Sequence, residues 1–342
     1  MKLLRILLFP IAILYGGITS MRNFLFDKGI FKSYTFDLPI IAVGNLSVGG
    51  TGKTPQIEYL IRLLSNKYNV ATLSRGYKRK SEGFILADEN SNATILGDEP
   101  FQFYKKFKNI QVAVDANRRN GIENLLKKLD KPQIILLDDA FQHRKVKAGF
   151  YVLLTTFSEL YCNDYMLPTG NLRESRSGAN RANLIIVTKC PKTISENEQS
   201  KIRKKLKLKN YQHLFFSYIE YDDKIYSDNE TKLVSEIKVQ PKLLLAGIAK
   251  PKPFFDFLKN DSDAIMTFPD HHDFSENDIE NIKLKAKDNL IITTEKDYVR
   301  LLGKFQENQL FYLPIKSSFV SNGADFDKNI LDYIQLKSEV VV

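Results

Sequence analysis

Short hydrophobic runs alternate with longer amphipathic stretches along most of this chain. The runs at 39–43, 70–73, 112–114, 134–137, 151–154 and 184–187 read as buried strands bounded by turn formers. Helical spacing lies between several of them. Ile57, Leu60, Ile61 and Leu64 fall on one helical face after Thr54-Pro55, and proline suits a first turn because the N–H it lacks has no partner there. Further helical patterns cover 99–107 and 121–129. Doubly buried strands separated by helices predict an α/β fold: a mostly parallel sheet with helices on both faces.

Residues 195–209 read as a basic helix opened by a Ser195 and Glu198 capping box, its cations forming a solvated face. Polar sequence at 222–231 marks a boundary, and apolar runs at 243–246, 265–268, 290–293 and 310–313 follow it. The expected organisation is an amino-terminal segment at 1–30, a larger domain at 31–225 and a smaller α/β domain at 226–342.

The amino terminus has its own pattern. Residues 6–19 carry no charge, yet as a helix they would span only ~21 Å of a hydrocarbon core ~30 Å thick. A crossing helix is not expected, and no small-x-small cleavage site marks a signal peptide. Lys2, Arg5, Arg22 and Lys28 stand among Leu, Ile and Phe, which suits a helix lying in the interface of an anionic leaflet. The competing expectation is a helix packed on the protein's own core.

Composition narrows the classes. Hydrophobic residues are 43% and charged residues 26% of 342, which excludes a disordered chain, a fibrous repeat and a polytopic membrane protein. The net charge of +10 favours anionic partners without choosing among them. Basic residues interleaved with stacking aromatics are not evident, so no nucleic-acid partner is expected. Cys162 and Cys190 are too few for a disulfide framework or a four-cysteine zinc site, which fits a reducing compartment.

The sharpest chemical signal is Gly44-Asn-Leu-Ser-Val-Gly-Gly-Thr-Gly-Lys-Thr-Pro55. Against G-x-x-x-x-G-K-[ST], Ser47 takes the first glycine position, and Gly52, Lys53 and Thr54 fit. An apolar strand leads in and a helix leads out. Backbone N–H groups of Ser47, Val48, Gly49, Gly50, Thr51 and Gly52 can then cradle phosphates at a helix N-terminus. Lys53 is expected at the β- and γ-phosphates of a nucleotide, and Thr54 at Mg²⁺. The run Ile134-Ile-Leu-Leu-Asp-Asp139 ends a strand in two carboxylates, so Asp138 and Asp139 are the expected metal-holding acids. Either could instead cap the next segment. His143 follows closely enough to sit beside the phosphates.

With those residues in view the chain resembles the tetraacyldisaccharide 4′-kinase family, the lipid A disaccharide kinases. Besides the phosphate loop, six blocks agree in order: Leu73-Ser-Arg-Gly-Tyr77, Gly97-Asp-Glu-Pro100, Leu137-Asp-Asp-Ala-Phe-Gln-His143, Leu167-Pro-Thr-Gly-Asn-Leu-Arg-Glu174, Phe268-Pro-Asp-His271 and Thr294-Glu-Lys-Asp297. The resemblance implies a P-loop lipid kinase that moves the γ-phosphoryl group of ATP to the 4′-hydroxyl of a tetraacylated glucosamine disaccharide 1-phosphate. It implies work at the cytoplasmic face of the inner membrane, peripheral or monotopic, with a glycolipid substrate and no obligate protein partner.

A sugar hydroxyl is a poor nucleophile and needs a base not already spent on the metal. The resemblance points to Asp98, paired with His271 from the smaller domain. Asp98 could also act as a helix N-cap. Arg118 and Arg173 match family arginines that stabilise the transferring charge, and Arg75 is a weaker candidate for substrate binding. The other readings are a nucleotide switch and a nucleotide-gated membrane scaffold. Thr188-Lys-Cys-Pro191 lacks the Asp of a guanine-reading motif, which favours ATP.

Overall fold

The computed structural model describes residues 2–306 and 308–339. Its first strands are β1 (Ile40–Asn45), β2 (Val70–Ser74), β3 (Ile85–Leu86), β4 (Gln111–Val114), β5 (Ile134–Asp138), β6 (Phe150–Thr156), β7 (Leu184–Thr188) and β8 (His213–Tyr221). Then come β9 (Lys224–Tyr226), β10 (Thr231–Leu233), β11 (Lys242–Ala246), β12 (Ala264–Thr267), β13 (Leu290–Thr294), β14 (Leu310–Leu313) and β15 (Ile315–Phe319). The helices of the larger body are α1 (Lys2–Leu7), α2 (Phe9–Asp27), α3 (Lys53–Leu64), α4 (Ala93–Leu96), α5 (Asp98–Lys106), α6 (Arg118–Leu126) and α7 (Glu196–Leu206). After them come α8 (Val234–Lys238), α9 (Lys252–Leu258), α10 (Glu276–Ala286), α11 (Glu295–Leu301) and α12 (Gly323–Glu339).

Among the described residues the strands form two sheets. The nine-stranded sheet runs β15-β8-β7-β6-β1-β5-β2-β4-β3, parallel except at its two edges. Strand β1 lies between β5 and β6, and its register sets Val43 opposite Asp138. The loop after β1 and the acids after β5 therefore emerge side by side at the carboxyl end of the sheet, where ligands bind in doubly wound folds. Ile57, Leu60, Ile61 and Leu64 of α3 are fully buried against Ile41, Val43, Val70 and Leu136. Each such side chain stabilises the fold by about 1.5–3 kcal/mol, which fixes the helix whose first turn carries Lys53 and Thr54.

The six-stranded sheet has the order β10-β9-β14-β13-β11-β12. It forms the smaller body, with α8 to α11 on its faces. The expected extent of that body, 226–342, needs correction at its far end. β15 pairs antiparallel with β8, from Ile315 opposite Tyr221 to Phe319 opposite Ser217. Helix α12 then buries Phe326, Ile330 and Ile334 in the core of the larger body. The polar composition at 222–231 marks the outward crossing, whereas the return at Pro314 carries no such signal.

Helix α6 begins at Arg118 rather than at 121, because Asn117 accepts from the Asn120 N–H and caps it there. The Ser195 and Glu198 box on α7 has both of its hydrogen bonds. At the amino terminus the segment expected at 1–30 forms two helices, α1 and then α2 ending at Asp27. Only Ala12 of its residues is buried, and Leu14, Ile18 and Met21 are exposed. No helix among the described residues is long and apolar enough to cross a membrane.

Candidate functional site

The phosphate loop is built from β1 into α3. Gly52 takes a left-handed conformation at φ 87° directly before α3, a turn in which a side chain would be strained. Asn45 donates to the Thr51 hydroxyl at 2.9 Å, the Thr188 hydroxyl donates to the Thr51 carbonyl at 2.7 Å, and Lys189 donates to the Gly50 carbonyl at 2.6 Å. Strand β7 thus braces one side of the loop. Residues 171–173 brace the other, where the Val48 N–H donates to the Asn171 carbonyl at 2.8 Å and Ser47 bridges to Leu172. Lys53 and Thr54 open α3, where unpaired N–H groups and the helix dipole favour anions.

The two acids differ in their surroundings. Asp139, at φ 45°, lies 3.7 Å from Lys53 and takes two bonds from Arg173, at 2.8 and 3.1 Å. Burial opposes its ionisation, but Lys53 and Arg173 outweigh it and hold the carboxyl at about 2. Asp138 has one long contact, 3.4 Å from the Ser74 hydroxyl, and its Oδ1 is buried without a partner. Burial and the neighbouring Asp139 charge push it up to about 6. A buried carboxylate oxygen with no partner, beside a second carboxylate and near the helix that carries Thr54, is the hard-oxygen set that suits Mg²⁺.

Arg173 reaches this point from the loop at 169–178 and also donates to the carbonyl and side chain of Asn45. Arg118, which the resemblance matches to an arginine that stabilises the transferring charge, lies beneath the acids. It is 2% exposed, donating to the carbonyls of Asp115 at 2.6 Å and Asp138 at 3.1 Å, and burial lowers its pKa to about 10. It supports the turn that carries the acids from beneath. His143 is half-buried, and burial together with the Arg118 charge pushes it down to about 4, so its ring is neutral. Arg75, at the end of β2, is exposed and makes no hydrogen bond among the described residues.

Across the cleft, Gly97 at φ 89° turns the chain so tightly against the Tyr77 carbonyl that a Cβ would lie 2.9 Å from it. Gly97 takes the N-cap position, and Asp98 is the first residue of α5 rather than its cap. Asp98 Oδ2 lies 3.4 Å from His271 Nδ1. His271 stands in the loop after β12 at φ 58°, with Tyr77 edge-on at 5.3 Å and Lys78 donating to its carbonyl at 3.0 Å. His272 turns away, 3.0 Å from Asp278 and stacked on Phe268.

Two cations of α11 complete this cluster, and sequence reasoning passed over both. Arg300 bonds Asp98 and lies 3.0 Å from His271 Nδ1, and Lys296 lies 2.8 Å from His271 Nε2. Burial opposes ionisation of Asp98, but its bonds to His271 and Arg300 and the nearby cations hold its carboxyl at about 2. The available signal was the Thr294-Glu-Lys-Asp297 block followed by Arg300, with Lys296 and Arg300 four apart on one helical face.

The family model described as tetraacyldisaccharide-1-P 4′-kinase matches residues 4–335. The tetraacyldisaccharide 4′-kinase of Flavobacterium johnsoniae is 70% identical, over 98% of each chain. That of Bacteroides thetaiotaomicron is 44% identical, over 96% of this chain and 93% of its own. The crystal structure of LpxK from Aquifex aeolicus in complex with ATP superimposes with a TM-score of 0.79 at 31% identity, covering 97% of this chain and 99% of that one.

Proposed function

This chain belongs to the tetraacyldisaccharide-1-P 4′-kinase family, and on that premise we propose how its residues divide the reaction. The protein is an ATP-dependent kinase of lipid A biosynthesis. It transfers the γ-phosphoryl group of ATP to the 4′-hydroxyl of a tetraacylated glucosamine disaccharide 1-phosphate. The observation that carries the assignment of roles is the position of Asp98, which faces His271 across the cleft at the same sheet end as the phosphate loop.

The 4′-oxygen forms a bond to the γ-phosphorus as the bond from that phosphorus to the bridging oxygen of ADP breaks. Asp98 accepts the hydroxyl proton, and His271 orients the carboxylate. The loop from Ser47 to Gly52 holds the phosphates through its N–H groups, and Lys53 reaches the β- and γ-oxygens. Arg173, now bound to Asp139, supplies charge to the transferring group. Arg118 keeps the Asp138 turn in place from below, and neutral His143 is placed to hydrogen-bond the phosphates. Arg75 is free to bind the substrate's own phosphate. Thr54, Asp138 and Asp139 would hold Mg²⁺, which when bound neutralises charge on the β- and γ-phosphates.

The exposed apolar face of α2 supports peripheral attachment to the cytoplasmic face of the inner membrane, where the acyl chains of the substrate lie. The test is incubation of the purified protein with ATP labelled at the γ-phosphate and the detergent-dispersed disaccharide 1-phosphate. Label in a 1,4′-bisphosphorylated product is expected. Nucleotide hydrolysis without labelled lipid would overturn the reading.

A further inference from the structure

Lys296 and Arg300 leave the same face of α11, and that face meets His271. Arg300 donates to Asp98 Oδ2, lies 3.0 Å from His271 Nδ1 and donates to the His272 carbonyl at 3.3 Å. Asp297 Oδ1 is 3.9 Å behind it. Lys296 Nζ is 2.8 Å from His271 Nε2, 3.4 Å from Asp270 and 3.7 Å from Glu99. Arg300 is nearly buried, its side chain 8% exposed. A guanidinium withdrawn from water is costly unless its partners are charged and well placed. Here the carboxylate is that of Asp98, and Asp98 Oδ1 takes no hydrogen bond among the described residues.

The imidazole has one proton to share between two nitrogens while neutral. With the proton on Nδ1, His271 donates to Asp98 Oδ2, and its Nε2 accepts from the Lys296 ammonium. The contacts to Asp98 and Lys296 are then satisfied, while the Arg300 guanidinium 3.0 Å from Nδ1 meets an N–H rather than an acceptor. With the proton on Nε2, or with both nitrogens protonated, an N–H would point at the ammonium. Arg300 and His271 Nδ1 converge on the same oxygen of Asp98, which accounts for their own close approach.

We propose that Arg300 and Lys296 are positioning residues for phosphoryl transfer, brought to the cleft by the smaller body. Arg300 pins one oxygen of Asp98 and leaves the other for the acceptor hydroxyl. Lys296 fixes His271 as the Nδ1-protonated tautomer. This inference rests on the assignment of Asp98 as the proton acceptor.

The test measures kcat and KM for both substrates in Arg300→Met, Arg300→Lys, Asp98→Asn and the Arg300→Met/Asp98→Asn double variant. Losing a bond to a charged partner predicts a fall in kcat of roughly 10- to 100-fold for Arg300→Met. KM for ATP should stay within about twofold, with partial recovery in Arg300→Lys, as expected of an interaction made in the transition state. In the Asp98→Asn background the same change should cost little, because the two residues act through one contact. An undiminished kcat in Arg300→Met, or an equal loss in both backgrounds, overturns the proposal. Full activity of Asp98→Asn would instead tell against the proton-acceptor assignment.

A second measurement needs no Arg300 variant. Nitrogen NMR of the ¹⁵N-histidine-labelled parental protein, with His271 assigned through His271→Gln, should show the proton on Nδ1. Lys296→Met should shift the population toward Nε2. A parental ring protonated on Nε2 overturns the role of Lys296.

Discussion

Lys106 Nζ lies 2.9 Å from Glu295, the first residue of α11, and 2.7 Å from Glu58 on the phosphate-loop helix α3. One largely buried ammonium on α5 therefore ties together the helix that carries Lys53, the helix that begins with Asp98 and the helix that carries Arg300. Glu58 is also bonded by Arg62 at 2.6 Å and Gln102 at 2.8 Å. Lys106→Met leaves Glu58 with Arg62 and Gln102 and takes from Glu295 its bonded cation. It is expected to cost about 3–5 kcal/mol of stability in urea unfolding. An unchanged midpoint would show that the network is not a structural tie.

The same cluster gives a pH dependence. Burial and the Glu58 charge push the Glu295 carboxyl up to about 7 from an ordinary value of 4.5. Between those values the folded protein binds more protons than the unfolded chain, so this group takes stability away as pH rises through the window. Glu295→Gln, which cannot ionise, should therefore gain in Tm relative to the parental protein on going from about pH 5 to about pH 8. A Tm difference that is flat or reversed across that range would contradict the assignment.

Asp98→Ala and His271→Ala should each lower kcat by roughly 10²–10⁴-fold, the usual contribution of a positioned base. Neither residue lies in the phosphate loop, so stabilisation by ATP in thermal unfolding should persist. Parental rates of glycolipid phosphorylation in both variants would remove the pair from the mechanism.

The larger sheet was legible because its central strands are buried on both faces and read as unbroken apolar runs. The phosphate loop and the acid pair were legible because backbone geometry demands glycine, lysine and carboxylates at fixed spacing. Strand β8 and its partner β15 were not anticipated. Their pairing joins residues far apart in the chain, and only the folded sheet brings Tyr221 beside Ile315. The resemblance led to Asp98 and His271, whereas Arg300 and Lys296 belong to a helix that reads as ordinary until His271 is set against it. Arg118 shows the opposite case. The resemblance pointed to its charge, and its burial beneath Asp138, where it donates to the Asp115 and Asp138 carbonyls, became visible only in the folded sheet.

Asp138 and Asp139 should separate by function. Asp139 holds Lys53 and Arg173, so Asp139→Asn is expected to loosen both cations and weaken ATP binding. Asp138 has the unpartnered oxygen, so Asp138→Asn should raise the free Mg²⁺ needed for half-maximal transfer by about tenfold or more. Activity titrated against free Mg²⁺ and nucleotide distinguishes them, and full chelation should abolish transfer. If Asp138→Asn keeps the parental Mg²⁺ dependence, Asp138 is not a metal-holding residue.

Helix α2 presents two nearly opposite faces with different work. Ala12, Tyr15, Thr19 and Asn23 recur at helical spacing on the protein side. Tyr15 donates to the Arg173 carbonyl at 3.0 Å, and Asn23 donates to Glu174 at 2.8 Å. Glu174 is itself buried and held by Arg181 and Gln142. Leu14, Ile18 and Met21 lie on the side turned away from the protein and are about 60–66% exposed. Transferring three such side chains from water to a membrane interface gives about 1.5–3 kcal/mol each at full burial, so replacing all three by Ser should lower binding to anionic vesicles by at least about 100-fold. The rate on detergent-dispersed acceptor should change little, because these side chains are exposed and the bonds to the Arg173 segment come from Tyr15 and Asn23. Tyr15→Phe and Asn23→Ala should do the reverse. They act through the backbone that carries Arg173, so kcat should fall while vesicle binding holds. Equal vesicle binding by the triple-Ser variant and the parental protein would show that α2 is not the attachment surface.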